Sequence, residues 1–223
     1  MHELIGISGK KNSGKDLVFK SIIFLSTDME VTEDNFRYFE DAVFTDTPVG
    51  NGRSHILGYG DLTESPPYRN KKFASKIKEV TALMFGCRPS DLEDRDFKEG
   101  PLPADFQSEG APVNTYRSFM QKLGTDFGRG MIHDDLWVNG LFVDFEEGSK
   151  WVITDLRFPN ELEAIRRRGG FTIRIDRPGF QDWDTHPSET ALDDVPCEDW
   201  GLHILNNGSK FDVVKKINDA LNG

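Results

Sequence analysis

The chain opens on an apolar run, Leu4-Ile5-Gly6-Ile7, which predicts a buried strand over residues 3–8. A helical pattern follows over residues 14–25 through Leu17-Val18-Phe19-Lys20-Ser21-Ile22-Ile23. The pattern then dissolves. From Ser26 to about Asn70 the chain is acidic and turn-rich, with Asp28, Glu30, Glu33, Asp34, Glu40 and Asp41 ahead of Pro48-Val49-Gly50-Asn51-Gly52. That is too long for an ordinary connection. It reads as an insertion over about 26–70 with a short helix near 33–42. Phe36, Tyr38, Phe39, Val43 and Phe44 would pack on the domain or on a partner; a solvated decorating segment is the alternative.

Beyond it, Lys71-Lys72-Phe73-Ala74 predicts a short strand leading into a helix over 76–85, with Ile77, Val80, Thr81 and Met84 on one face and Gly86 as its stop. Residues 89–99 are charged, and 100–115 are rich in Pro and Gly and read as a mobile loop. Helical periodicity returns over 116–129, interrupted by Gly124, and over 134–145, where Asp134 or Asp135 caps Leu136, Trp137, Leu141, Phe142 and Phe145. Trp151-Val152-Ile153-Thr154-Asp155 is a second clear strand, and Pro159 opens a helix that ends at Gly169-Gly170. Phe171-Thr172-Ile173-Arg174-Ile175 and Leu202-His203-Ile204-Leu205 complete the strands, and residues 210–221 form a closing helix. Strands alternating with helices imply an α/β fold around a parallel sheet of about five strands, in one domain over 1–223.

Composition narrows the function. The 223 residues carry a formal net charge of −11, which argues against a broad nucleic-acid surface and for no direct nucleic-acid partner. A small cationic pocket remains open, since it needs only a few lysines and arginines. No long apolar run suggests a membrane span, and the N-terminus has no export pattern. Cys87 and Cys197 lie far apart and form neither a metal cluster nor a disulfide framework, which fits a reducing cytoplasm.

The strongest chemical signal is Gly9-Lys10-Lys11-Asn12-Ser13-Gly14-Lys15-Asp16, between the first strand and the first helix. Glycines let successive backbone N–H groups face one anion, the helix N-terminus adds partial positive charge, and Lys15 would reach the β/γ-phosphates of a nucleotide. Asp16 stands where Ser or Thr is usual; it can serve Mg²⁺ or simply favour the helix dipole. A second group is Asp155, Arg157 and Glu161. Asp155 lies at the carboxyl end of a buried strand, where open α/β sheets place ligands, and Arg157 can clamp a phosphate through two parallel hydrogen bonds. A local ion-pair set at a helix start is the plainer alternative. A third runs from Arg117 to Asp126 and on to Trp137. Gly124 inside an apolar helix costs roughly 1 kcal/mol against Ala, a hint of close approach; Trp137 fits either a core position or a stacking platform. Arg177 is a candidate lid residue or a surface turn arginine.

Five blocks in order carry a resemblance: residues 9–16, Phe-Ala-Ser-Lys-Ile-Lys-Glu at 73–79, Arg-Ser-Phe-Met-Gln-Lys-Leu-Gly-Thr-Asp at 117–126, Asp-Leu-Arg-Phe-Pro-Asn-Glu at 155–161, and Arg-Pro-Gly with Thr-His-Pro-Ser-Glu at 177–189. Together they resemble the deoxynucleoside monophosphate kinases of tailed phages, over most of the chain except 26–70. In that family Asp after the loop lysine is familiar. The resemblance implies a three-layer P-loop kinase fold and transfer from ATP to a deoxynucleoside monophosphate. It implies that Lys11, Ser13, Gly14, Lys15, Asp16 and Thr185 bind ATP, with Asp16 serving Mg²⁺. It assigns Lys78, Lys98, Arg117, Gly124, Thr125, Trp137, Asp155, Arg157 and Glu161 to the acceptor nucleotide. Lys15, Arg117 and Arg157 would be the catalytic cations. Segments near 87–115 and 177–190 would act as lids, a homodimer is expected, and the host cytoplasm is the expected location. Two alternatives stand beside it: a P-loop kinase of another small acceptor, such as dephospho-coenzyme A, and a non-catalytic nucleotide-binding assembly protein.

Overall fold

The structure is a computed structural model that describes residues 2–45, 55–56, 68–179 and 186–222. Five strands build the sheet: β1 (Leu4–Ser8), β2 (Arg69–Lys71), β3 (Trp151–Leu156), β4 (Phe171–Asp176) and β5 (Leu202–Leu205). Their spatial order is β2-β3-β1-β4-β5, and every neighbouring pair is parallel. β1 is central, with Ile5 opposite Val152 on one side and Phe171 on the other. Strands covered on both faces must be apolar nearly throughout, and all five residues of β1 are buried. β2 begins earlier than Lys71 because Arg69 starts the ladder with β3, its N–H donating to the Lys150 carbonyl at 2.8 Å.

The chain gathers into two compact units. One comprises Met1–Thr45, Ile56–Lys72 and Phe145–Gly223; the other comprises Asp46–His55 and Phe73–Asp144. The first holds the sheet with helices α1 (Lys15–Leu25), α2 (Glu33–Val43), α7 (Pro159–Arg166), α8 (Pro187–Thr190) and α9 (Lys210–Asn222). Its core joins Ile5, Ile7, Ile173, Ile175 and Ile204 to Val18, Ile22 and Ile23 of α1 and Phe211, Val214 and Ile217 of α9. Each such side chain contributes roughly 1.5–3 kcal/mol by leaving water. α2 belongs to the same core. Phe36 and Phe39 pack on Phe24 with ring centroids 5.3 and 5.4 Å apart, and Glu40 is tied to Lys20 and Lys210. The start of the insertion is therefore packed on the domain.

The second unit contains α3 (Ser75–Phe85), α4 (Arg95–Glu99), α5 (Tyr116–Gln121) and α6 (Leu136–Phe142). Ala82, Leu92, Leu102 and Tyr116 are buried together, with Phe85, Phe97 and Phe119 packed against them. Residues 100–115, expected as a mobile loop, supply Leu102 to this core, and the Leu102 N–H donates to the Asn114 carbonyl at 2.9 Å. α3 turns Thr81 and Ala82 inward and leaves Val80, Leu83 and Met84 exposed, so the apolar face expected through Val80 and Met84 is only partly buried.

The helix expected over 116–129 changes type part-way. Thr115 caps α5, accepting from the Ser118 N–H, and at Lys122 the chain passes into a π-helix that runs to Ile132. π-helical turns are rare and concentrate at functional sites. Trp137 packs closely against this one. The indole N–H of Trp137 donates to the Gly124 carbonyl at 2.7 Å, and a Cβ on Gly128 would lie 2.6 Å from that indole nitrogen. Only glycine at 128 leaves room for the ring.

Candidate active site

The loop from Gly9 to Gly14 leaves the carboxyl end of β1 and turns into α1. Two residues take left-handed backbone conformations, Asn12 at φ 59° and Gly14 at φ 113°. At Gly14 a side chain would also collide with Asn206, whose Nδ2 would lie 2.6 Å from its Cβ. Asn206 braces the loop from β5 by donating to the Ser13 carbonyl at 2.8 Å. Lys15 folds back over the loop, its Nζ donating to the carbonyls of Gly9 at 2.5 Å and Lys10 at 2.7 Å. Burial lowers its pKa to about 8; Arg157 and, more weakly, Arg174 push the same way against Glu189 and Asp16. Ser13 has a buried hydroxyl oxygen without a hydrogen-bond partner. Buried polar groups ordinarily have one. Lys11 and Asp16 are exposed, Asp16 in the first turn of α1.

The register of the sheet places the second group beside the loop. Ser8 lies opposite Leu156 of β3, so Asp155 and Arg157 flank the same carboxyl edge. Arg157 Nη1 pairs with the Glu189 carboxylate of α8. Glu161 is 2 % exposed, and its Oε2 accepts the backbone N–H of Arg157 at 2.8 Å and of Phe158 at 3.0 Å. It thereby satisfies two donors just ahead of α7 and fixes the backbone that carries Arg157.

β4 adds a cation that the motifs did not single out. Arg174 lies opposite Ser8 in register and donates from Nη1 to Ser8 Oγ at 3.2 Å and from Nε to Asp176 Oδ1 at 3.0 Å. Asp176 also pairs with His203 Nε2 at 2.8 Å. The available signal was the charge itself, an arginine among the buried residues of Phe-Thr-Ile-Arg-Ile. Glu189 and Asn206 were equally overlooked, although Glu189 ends the Thr-His-Pro-Ser-Glu block. Arg177 is exposed, and Thr185 lies outside the described residues.

The other unit carries the remaining candidates. Lys78 Nζ pairs with Glu93 at 2.6 Å, and Arg117 Nε pairs with Glu99 at 2.6 Å. Lys98 is half-buried in α4, and Thr125 half-buried in the π-helix. Gly124 meets its expected close approach: a Cβ there would lie 2.8 Å from Ile77 Cδ1. Trp137 is 7 % exposed and packs against Gly124 and Gly128.

A sequence model of deoxynucleotide monophosphate kinase matches residues 105–217. The deoxynucleotide monophosphate kinase of Escherichia phage RB69 is 33 % identical over 254 aligned residues, covering 98 % of this chain and 99 % of that protein. The chain belongs to the deoxynucleotide monophosphate kinase family. The deoxynucleoside-5'-monophosphate kinase of Escherichia phage T5 is 29 % identical, with 97 % of this chain and 93 % of that protein covered. The deoxynucleotide monophosphate kinase of Enterobacteria phage T4 is 34 % identical over a shorter stretch, 47 % of this chain and 44 % of that protein. Membership fits the five-stranded parallel sheet of a P-loop kinase.

Proposed function

We propose that this kinase transfers the γ-phosphoryl group of ATP to a deoxynucleoside monophosphate, giving ADP and a deoxynucleoside diphosphate. The observation that carries the reading is Lys15, lowered to about 8 by burial and by Arg157, and held over an anion loop by two carbonyls that phosphate oxygens can replace. An acceptor phosphate oxygen attacks the γ-phosphorus, and the bond to the ADP oxygen breaks. The protein's part is positioning and charge neutralisation. No strong base is required, because the attacking oxygen already carries negative charge.

Lys15 would release Gly9 and Lys10 to take the donor's phosphates, with Lys11, Ser13, Gly14 and Thr185 completing that site. Arg157, on the backbone that Glu161 fixes, would neutralise charge between the two nucleotides, together with Arg117. Lys78, Lys98, Gly124, Thr125 and Asp155 would bind the acceptor, with Trp137 shaping the π-helix. Among the described residues no three ligating side chains gather into a metal cluster. That suits Mg²⁺ brought in on the triphosphate, since magnesium keeps its waters and needs only one or two carboxylates. The exposed Asp16 would hold it, and the ion would supply charge neutralisation. Residues 87–115 are proposed as a cover with 177–190; because Leu92 and Leu102 share a core with Ala82 and Tyr116, 87–115 would move only together with α3 and α5.

The resemblance supports a homodimer, which sedimentation velocity tests. Placement in the cytoplasm belongs to the same reading; no described helix is long and apolar enough to cross a membrane. A coupled ADP-release assay with each dNMP, each NMP and dephospho-coenzyme A tests the activity. Release that depends on a deoxynucleoside monophosphate supports it, and release only with another acceptor overturns it.

A further inference from the structure

Arg174 is held on three sides, and the three contacts are unlike. Ser8 and Asp176 both belong to the sheet, and they grip Nη1 and Nε at 3.2 and 3.0 Å. The third partner is Asp193, in the turn after α8. Its Oδ1 lies 3.4 Å from Arg174 Nη2, and its Oδ2 pairs with Lys10 of the phosphate loop. One carboxylate, 38 % exposed, therefore bridges a strand arginine that is 11 % exposed and a loop lysine. A carboxylate accepts from guanidinium and ammonium groups as a phosphate does. Asp193 is thereby held between the loop and the strand.

We propose that Arg174 is a further ligand for the donor's phosphates and that Asp193 is the internal anion it exchanges for them. The proposal rests on the donor-site reading given above. Two sheet contacts hold the guanidinium at the loop, so little freedom is lost when its outer edge changes partner. The contact to be exchanged is the longest of the three, and its acceptor is the most exposed. Lys10, freed from the same carboxylate, turns to the phosphates with it. The crowding of cations is consistent with this, since Arg174 adds to the field that lowers Lys15. A purely structural tie makes the opposite demand on Asp193: it would anchor the turn after α8, and its loss would loosen the site.

Equilibrium binding of a non-hydrolysable ATP analogue to the full chain separates the two, with Arg174→Gln, Asp193→Asn and the double variant, and with thermal melting to establish that each folds. Arg174→Gln should weaken the analogue about tenfold or more, the range for one charge-assisted hydrogen bond. Asp193→Asn should tighten it several-fold, and that gain should be smaller in the double variant, where Asp193 competes only for Lys10. Arg174→Lys, which keeps the charge but not the fork, should fall between wild type and Arg174→Gln and covers the case of a glutamine variant that does not fold. A wild-type protein that binds the analogue while Asp193→Asn weakens binding or leaves it unchanged, or while its gain is undiminished without Arg174, overturns the exchange and leaves the donor site standing. A wild-type protein that binds no analogue overturns both.

Discussion

The indole N–H of Trp137 donates to the carbonyl of Gly124 at 2.7 Å, across the Gly128 position where a Cβ would strike the same ring. The contact fixes the π-helix that carries Thr125. Trp137→Phe removes the donor and part of the ring's volume, and is predicted to cost about 1–3 kcal/mol. Gly128→Ala overpacks the indole and should cost a similar amount, about 1–3 kcal/mol. Urea unfolding measures both. A Trp137→Phe protein as stable as wild type would show that the bond contributes nothing.

Lys15 makes binding depend on pH. Its pKa in the folded protein is about 8, below the ordinary 10.5, from burial first and Arg157 next. The unfolded chain therefore binds more protons between those values, and Lys15's contribution to stability rises with pH from about 8 to 10.5. ATP binding runs the other way. Phosphates favour the charged lysine, so affinity should hold below pH 8, fall as pH rises above it, and be accompanied by proton uptake. Calorimetry in buffers of different ionisation enthalpy measures that uptake, and Lys15→Met should abolish it.

Arg157→Ala should raise the acceptor KM much more than it weakens ATP binding. Equal losses would assign Arg157 to the donor. Glu161→Gln keeps the shape of the cap but weakens both backbone contacts at Arg157 and Phe158. It should reproduce part of the Arg157→Ala defect with Arg157 still present; a variant with unaltered kinetics would separate the cap from catalysis.

Glu40 ties α2 to α1 and α9. Burial works to raise its pKa, but hydrogen bonds and charge from Lys210 and Lys20 outweigh burial and hold it below the ordinary 4.5. Its contribution is therefore present above pH 4.5 and is lost as pH falls through the depressed value. Acid titration of stability should be shallower in Glu40→Gln than in wild type. Identical acid profiles would refute that coupling.

The sheet was legible because doubly covered strands are almost wholly apolar, as in Leu4-Ile5-Gly6-Ile7 and Trp151-Val152-Ile153. The phosphate loop was legible because its spacing answers a chemical need. The π-helix was not, since Phe119, Leu123 and Phe127 suit an α-helix equally, and the Trp137 that packs against the wider turn lies farther along the chain. The core of residues 87–115 was hidden because Leu92 and Leu102 stand alone among charged, Pro and Gly residues and form no period. Arg174 sat in view, but its meaning depends on the register that sets it opposite Ser8.

Phosphoryl transfer itself is tested most directly by a single turnover with ATP labelled at the γ-phosphate and a deoxynucleoside monophosphate. The label should move into the deoxynucleoside diphosphate with wild-type protein and remain in ATP with a folded Lys15→Ala variant. Label appearing only as inorganic phosphate, or transfer by Lys15→Ala at the wild-type rate, would contradict it.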